Sequence, residues 1–263
     1  MIGLFLGSTD FPKIVLNKII KNKKKYFVID LTKNNIFIKN KNCHFINIGQ
    51  FGKILSLIKN KKCKNVLFAG KINKPKISSL KLDLKGIYYI PRIIKASKVG
   101  DAAILKELIK ILAENKIKVI KSNFFNPELT LSKGNYSKTK PNKIDNVNIK
   151  KGIKALNNLN AHNHVQGLVI KDNVIIKKEN SKGTKKMLQS INRTKDAGGI
   201  LIKFPKKKQD LRADLPTVGL DTLKDCKKGN LKGIVLKSNQ NIFMDKNKCI
   251  SFANKNKIFI KII

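Results

Sequence analysis

Tryptophan is absent from the 263 residues, and arginine occurs only at Arg92, Arg193 and Arg212. A dedicated nucleic-acid module uses arginine for bidentate contacts and aromatic rings for stacking, so its usual equipment is missing. Acids are also few, 16 against 57 lysines and arginines, giving a formal net charge of +41. The lysines are spread along the whole chain and accompanied by Asn and Ile, which an AT-rich genome over-supplies. The charge therefore reads as compositional drift, with no specific nucleic-acid partner expected. It would still attract an anionic lipid surface.

Cysteine is scarce and scattered. Cys43, Cys63, Cys226 and Cys249 form no CxxC pair, and His44 adjoins only one of them. They read as reduced core thiols, not disulfides or a zinc site. No apolar run approaches bilayer-spanning length. The IGLFLG run after Met1 lacks a charged leading region and a small-residue cleavage motif, so it reads as a buried strand, not a signal peptide. There is no Walker loop, GxGxxG, serine elbow or HExxH. His162-Asn163-His164 lacks the cysteine or carboxylate company of a metal or nuclease site and reads as a surface loop.

What is present is an alternation of short apolar runs with helix-period segments. In the first half it predicts strands at 2–6, 26–31, 45–48, 65–69 and 117–120, with helices at 12–21, 52–60, 87–97 and 102–115. That order suggests an open, mostly parallel sheet, whose ligands lie beyond the carboxyl ends of the strands. Gly7 and Gly70 sit at such ends, the latter followed by Lys71. Asp101 stands where a helix N-cap belongs, and a functional role is the alternative. The polar stretch 129–146, with Gly134 and Pro141, reads as a linker between an N-terminal α/β domain over 1–128 and a C-terminal one over 147–263. A helix is expected from 144 to 159. The second domain then shows strands at 166–170, 173–177, 199–203, 233–236, 242–244 and 258–262, and helices at 184–192, up to Lys228, and at 247–254.

The chemistry gathers in Lys203 to Gly219, KFPKKKQDLRADLPTVG. Lys203, Lys206 and Arg212 could neutralise an oxyanion together with helix-start N–H groups, while a carboxylate binds a metal or orients water. Acids are rare, so those in turns beside strand ends are informative: Asp10, Asp101, Asp210, Asp214 and Asp221. Asp221 suits the first turn of a helix and Asp210 a solvated loop. Asp214 is harder to set aside, because it precedes a proline able to begin a helix and follows Arg212 closely.

In this order the motifs resemble the LpxI family of UDP-2,3-diacylglucosamine pyrophosphatases. The segments that carry the resemblance are GLFLGSTDFP from Gly3, GQFGKI from Gly49, LFAGKINKP from Leu67, KVGDAAILKEL from Lys98, LTLSKG, VQGLVI, KGTKKML and KFPKKKQDLRADLPTVG. The signature RxDLPTxG is intact as Arg212, Asp214, Leu215, Pro216, Thr217 and Gly219. The resemblance implies two α/β domains, the N-terminal one Rossmann-like, with the active site between them. It implies hydrolysis of UDP-2,3-diacylglucosamine to UMP and 2,3-diacylglucosamine 1-phosphate, water attacking the α-phosphorus. Mg²⁺ is the implied metal, with Asp214 and Asp101 as its candidate ligands. Asp214 takes the position of the essential aspartate, with Arg212 beside it. Gly7, Gly70, Lys71, Asp101, Gln166, Thr184, Lys203, Lys206 and Thr217 are the candidate substrate-binding positions. A lipid-linked sugar nucleotide, the anionic inner-membrane surface and a second copy of the chain are the expected partners, with a cytoplasmic, peripheral location. The chain departs from the family at Ala102, Lys182 and Lys185, where acids are usual. Those departures leave room for a member that binds the sugar nucleotide without turnover, and the charge leaves room for a basic nucleic-acid or anionic-surface binding protein.

Overall fold

The computed structural model describes residues 1–32, 34–72, 79–162, 165–207 and 209–263. The chain forms two compact units. One contains residues 1–127 together with 210–214, and the other contains 128–209 with 215–263.

The first unit is built on strands β1 (Ile2–Leu6), β2 (Tyr26–Asp30), β3 (Cys43–His44), β4 (Asn65–Ala69) and β5 (Lys118–Val119), and helices α1 (Phe11–Lys21), α2 (Phe51–Asn60), α3 (Leu84–Val99) and α4 (Asp101–Glu114). The strands pair in parallel in the order β3-β2-β1-β4-β5. Successive side chains of a strand point to opposite faces, so a sheet covered on both sides needs apolar residues throughout. Phe5, Phe27, Ile29, Val66 and Phe68 pack with α2, α3 and α4. Leu4, Leu6, Val28 and Leu67 alternate with them and are fully buried. The strand expected at 45–48 does not form. β3 stops after two pairs, and Asn47 then turns the chain into α2 by accepting the N–H of Gly49 at 3.0 Å. Asp101 is the first residue of α4, not its cap; Gly100 takes the cap position at φ 136°, a conformation glycine adopts without steric cost.

The second unit contains β6 (Gly134–Asn135), α5 (Lys143–His162), β7 (Gly167–Lys171), β8 (Val174–Lys178), α6 (Gly183–Gln189), β9 (Ile200–Lys203), β10 (Thr217–Val218), α7 (Leu220–Lys228), β11 (Gly233–Leu236), β12 (Ile242–Phe243), α8 (Lys246–Lys255) and β13 (Phe259–Ile262). The main sheet runs β6-β13-β11-β9-β7-β8, with β9, β11 and β13 parallel. Strand alternation splits its core in two. Leu168, Ile170, Ile200 and Ile202 meet Ile149 and Leu156 of α5. Val169 and Leu201 face the other way, toward Met187, Leu223, Cys226 and Ala253 of α6, α7 and α8. Within the stretch expected as linker, β6 pairs antiparallel with β13, and the Ser137 hydroxyl accepts the N–H of Ile260 at 2.7 Å. Pro216 does not begin a helix. It is buried ahead of β10, which pairs with β12, and α7 starts only after Gly219.

Candidate active site

In the second unit, β9 ends on Lys203, whose side chain is almost fully buried. A buried ammonium needs partners, because desolvation is otherwise costly. Lys203 Nζ donates to the Thr184 hydroxyl at the start of α6. That hydroxyl in turn donates to Glu179 Oε2 at 2.9 Å, and Gln166 Nε2 reaches Glu179 Oε1 at 3.4 Å. Gly167 leaves the space for the carboxylate: a Cβ there would stand 2.8 Å from Glu179 Oε2. The backbone is fixed as tightly, with Phe204 N–H donating to the Gln166 carbonyl at 2.9 Å and Asn241 Nδ2 to the Lys203 carbonyl at 3.1 Å. Gln166, Thr184 and Lys203, which belong to three separate motifs of the resemblance, thus share one cluster. Gln166 Oε1 is buried without a hydrogen-bond partner among the described residues.

The signature segment is organised around Asp210. Its carboxylate accepts Arg212 N–H at 3.0 Å, Arg212 Nε at 3.0 Å and Arg212 Nη2 at 2.7 Å. The expectation of a solvated Asp210 is therefore corrected: its side chain is 12% exposed and serves as the counter-ion of Arg212. The Arg212 guanidinium holds the Asp210 carboxyl below the usual carboxylate range, and Asp210 holds Arg212 above its usual value. Ala213 and Asp214 N–H both donate to the Asp210 carbonyl, making a single helical turn. Ala213 packs on the core of the first unit, and the Arg212 carbonyl accepts Ser122 N–H at 2.6 Å. Ser122 Oγ is buried there without a hydrogen-bond partner among the described residues. Asp214, at the end of the turn, is half-buried.

The remaining expected positions have local explanations. Gly7 N–H donates to the Ala69 carbonyl, and Ser8 and Lys71 exchange backbone hydrogen bonds at 2.8 and 3.0 Å, stitching the carboxyl ends of β1 and β4. A Cβ at Gly7 would meet the Lys71 carbonyl oxygen at 2.4 Å, and Gly70 has φ 88° with Pro12 against it. Asp101 is exposed on the first turn of α4. Lys206 N–H donates to Gln209 Oε1 at 2.8 Å, which closes the turn after β9. Thr217 is exposed on β10. Lys208, the end of the lysine run, and Asn163 and His164 of the HxH motif lie outside the described residues, as do residues 73–78 of the LFAGKINKP segment.

Sequence reasoning missed Glu179 and Asn241. Glu179 carried a usable signal, being one of few acids and placed directly after a strand. Asn241 had none among so many asparagines.

Among the described residues no group of three or more His, Cys, Asp or Glu side chains gathers as a metal cage. Mg²⁺ commonly takes one or two carboxylates and fills its remaining positions with water and substrate phosphate oxygens. Asp214 at the end of the signature turn and Asp101 at the start of α4 each offer one carboxylate of the kind such a site takes.

Two family models match, the LpxI N-terminal domain over residues 1–129 and the LpxI C-terminal domain over 132–261. A curated relative, UDP-2,3-diacylglucosamine pyrophosphatase LpxI of Caulobacter vibrioides, is 27% identical over 223 residues, covering 82% of this chain and 80% of its own. The crystal structure of dTDP-glucose 4,6-dehydratase from Bacillus anthracis in complex with NAD is 12% identical, over 62% of this chain and 52% of that one, at a TM-score of 0.28. Likeness at that level carries no argument.

Proposed function

The chain belongs to the LpxI family, and from that premise we propose that it hydrolyses the pyrophosphate bond of UDP-2,3-diacylglucosamine to UMP and 2,3-diacylglucosamine 1-phosphate. The observation that carries this reading is the match of both family domains along nearly the whole chain. The relative from Caulobacter vibrioides is named as a UDP-2,3-diacylglucosamine pyrophosphatase.

The chemistry of the residues supports it. A diphosphate diester repels water and hydroxide, so its hydrolysis needs charge neutralisation and an oriented nucleophile. Asp210 grips Arg212 through Nε and Nη2, which pre-orients the guanidinium and leaves its Nη1 edge to meet a phosphate oxygen. Lys203, fixed by Thr184, is a buried cation within the second unit. Asp214 orients the water that attacks the α-phosphorus, and with Asp101 it is the residue to hold Mg²⁺. Bound there, the ion would neutralise charge on the phosphoryl oxygens.

Purified protein should release UMP from the substrate in detergent with Mg²⁺ present, and EDTA should stop it. Asp214→Ala should fold with an unchanged circular dichroism spectrum and lose at least ~100-fold in kcat. Full activity in that variant would remove Asp214 from the mechanism, and no UMP from the wild type would end the assignment. Lys182, Lys185 and Ala102 favour one second reading, a member that binds the sugar nucleotide without turnover. Saturable substrate binding in the absence of UMP release would select it. A substrate with acyl chains also places the protein at the membrane surface, and no described helix is long and apolar enough to cross a membrane.

A further inference from the structure

Helix α3 buries only one side. Tyr89 packs against Phe51, and Gly86 and Ala96 face inward. The opposite side shows Leu84, 87% exposed, Tyr88, 71% exposed, and Ile87, 58% exposed, with Pro91 continuing the stripe at the same spacing. Positions i, i+3, i+4 and i+7 share one face of a helix, so these side chains form a continuous apolar strip. Leu82 extends it upstream, and Lys81 and Lys85 flank it.

Lys85 also belongs to a second feature. It lines a cavity of about 670 Å³ together with Lys59, Lys62, Lys64 and Lys116. The other lining residues are apolar or neutral, so five lysines line the cavity with no carboxylate among the lining residues. Glu107 and Glu114 of α4 do not compensate them, because Arg92 engages each of the two at 2.6 Å. The C-terminal ends of α2 and α4 favour nearby cations, which accounts for Lys59. That preference does not extend to five like charges around one cavity, whose mutual repulsion is relieved by an anionic occupant.

We infer that this side of the first unit is a docking surface for an anionic lipid bilayer. Leu84, Ile87 and Tyr88 enter the boundary between headgroups and acyl chains, and the lysine-lined cavity beside them takes lipid phosphates. Apolar insertion next to a lysine cluster is the pairing that holds a peripheral protein on an anionic membrane, since each contribution alone is marginal. The choice of a lipid surface over another protein rests on the charge complementarity and on the reading that the substrate is a lipid.

The absence of tryptophan makes the test direct, because Tyr88→Trp creates a unique fluorophore. Its emission should shift to the blue on adding vesicles of phosphatidylcholine with phosphatidylglycerol, and stay unchanged with phosphatidylcholine alone. Reversing four cavity lysines, Lys59→Glu, Lys62→Glu, Lys64→Glu and Lys116→Glu, should weaken sedimentation with the anionic vesicles at least ~10-fold. Reversing four exposed lysines of the second unit, Lys227, Lys228, Lys248 and Lys255, changes net charge equally and should cost less than ~3-fold. Equal losses in the two variants would reduce the effect to net charge and overturn the surface. So would an unshifted spectrum. A blue shift that grows with protein concentration in the absence of vesicles would assign the strip to a second copy of the chain and overturn it as well. UMP release from detergent-solubilised substrate should be unaffected by the cavity variant. Vesicle binding without UMP release would count against the pyrophosphatase reading alone, whereas UMP release without vesicle binding would count against the surface alone.

Discussion

Asp83 shows how much one side chain can organise. Its Oδ1 accepts the N–H of Gly86 at 2.8 Å, capping α3, and that of Gly52 at 3.0 Å, while Oδ2 accepts Lys53 N–H at 2.9 Å at the start of α2. One carboxylate therefore serves two helix starts. Burial pushes its pKa up, but the three N–H donors outweigh that and hold it below the usual carboxylate range. A depressed folded-state pKa contributes stability that is complete above the unfolded value and disappears as pH falls through the folded one. Asp83→Ala should cost about 1–2 kcal/mol at pH 7 by urea unfolding. The gap between wild type and variant should narrow as pH drops below about 4; a gap that stays constant down to pH 2 would mean the charge is irrelevant. The Glu179 cluster permits a second test. Thr184→Val keeps the shape but removes the hydroxyl that joins Lys203 to Glu179, taking one hydrogen bond from each buried group at a cost of about 1–3 kcal/mol. Stability equal to wild type would show that the cluster is not held through Thr184. The individual positions Gln166, Thr184 and Lys203 could be picked from the sequence as separate candidates. Their convergence on Glu179 could not, because it depends on β7, β9 and the turn into α6 coming together.

At the scale of elements, α3 and the turn leading into α2 meet so closely that only glycine fits. A Cβ on Gly86 would lie 2.1 Å from the Gly49 carbonyl oxygen, a backbone atom that cannot swing aside. Gly86→Ala should therefore be destabilising by about 2 kcal/mol or more although alanine is the better helix former, lowering Tm by several degrees. A rise in Tm would show that α3 can move away without penalty. The close approach was not legible, since Gly86 stood just outside the helix expected at 87–97, and α3 begins at Leu84. What was legible came from periodicity. β1, β4 and β11 occupy the expected residues because each is an unbroken apolar run bounded by turn residues, and a strand buried on both faces has that signature. The departures lie where local pattern competes with partners far away in the chain. Residues 45–48 have the composition of a strand but lack a continuing neighbour, and Asn47 wins with a turn. Gly134–Asn135 have the composition of a loop, yet β13 offers them a free edge. Pro216 looked like a helix start, but its neighbours Thr217 and Val218 pair with β12 first.

On the scale of the whole molecule, the same lysines that make the sequence look like a nucleic-acid binder act on its stability. Each unit has its own core, centred on Phe27, Ile29 and Phe68 in the first and on Leu201, Ile234 and Phe243 in the second. Both must hold together under a formal charge of +41. Folding concentrates that charge into a compact volume, so self-repulsion opposes the folded state and does so most at low ionic strength. The few carboxylates relieve it only locally, as Asp210 does for Arg212 and Asp145 for Lys232 at 3.3 Å. At 0.01 M salt the screening length is about 30 Å and charges across a whole unit feel one another, whereas at 0.15 M it is about 8 Å and only neighbours do. Tm should therefore rise by a few degrees as NaCl is raised from 10 to 150 mM and then level off. Sodium chloride is the salt to use, because sulfate and phosphate stabilise by exclusion from the surface. A Tm that fell over that range would mean that the ion pairs, which screening weakens, outweigh the repulsion among lysines. That outcome would require the sixteen acids to be placed far more effectively than the pairs at Arg92, Arg212 and Lys232 indicate.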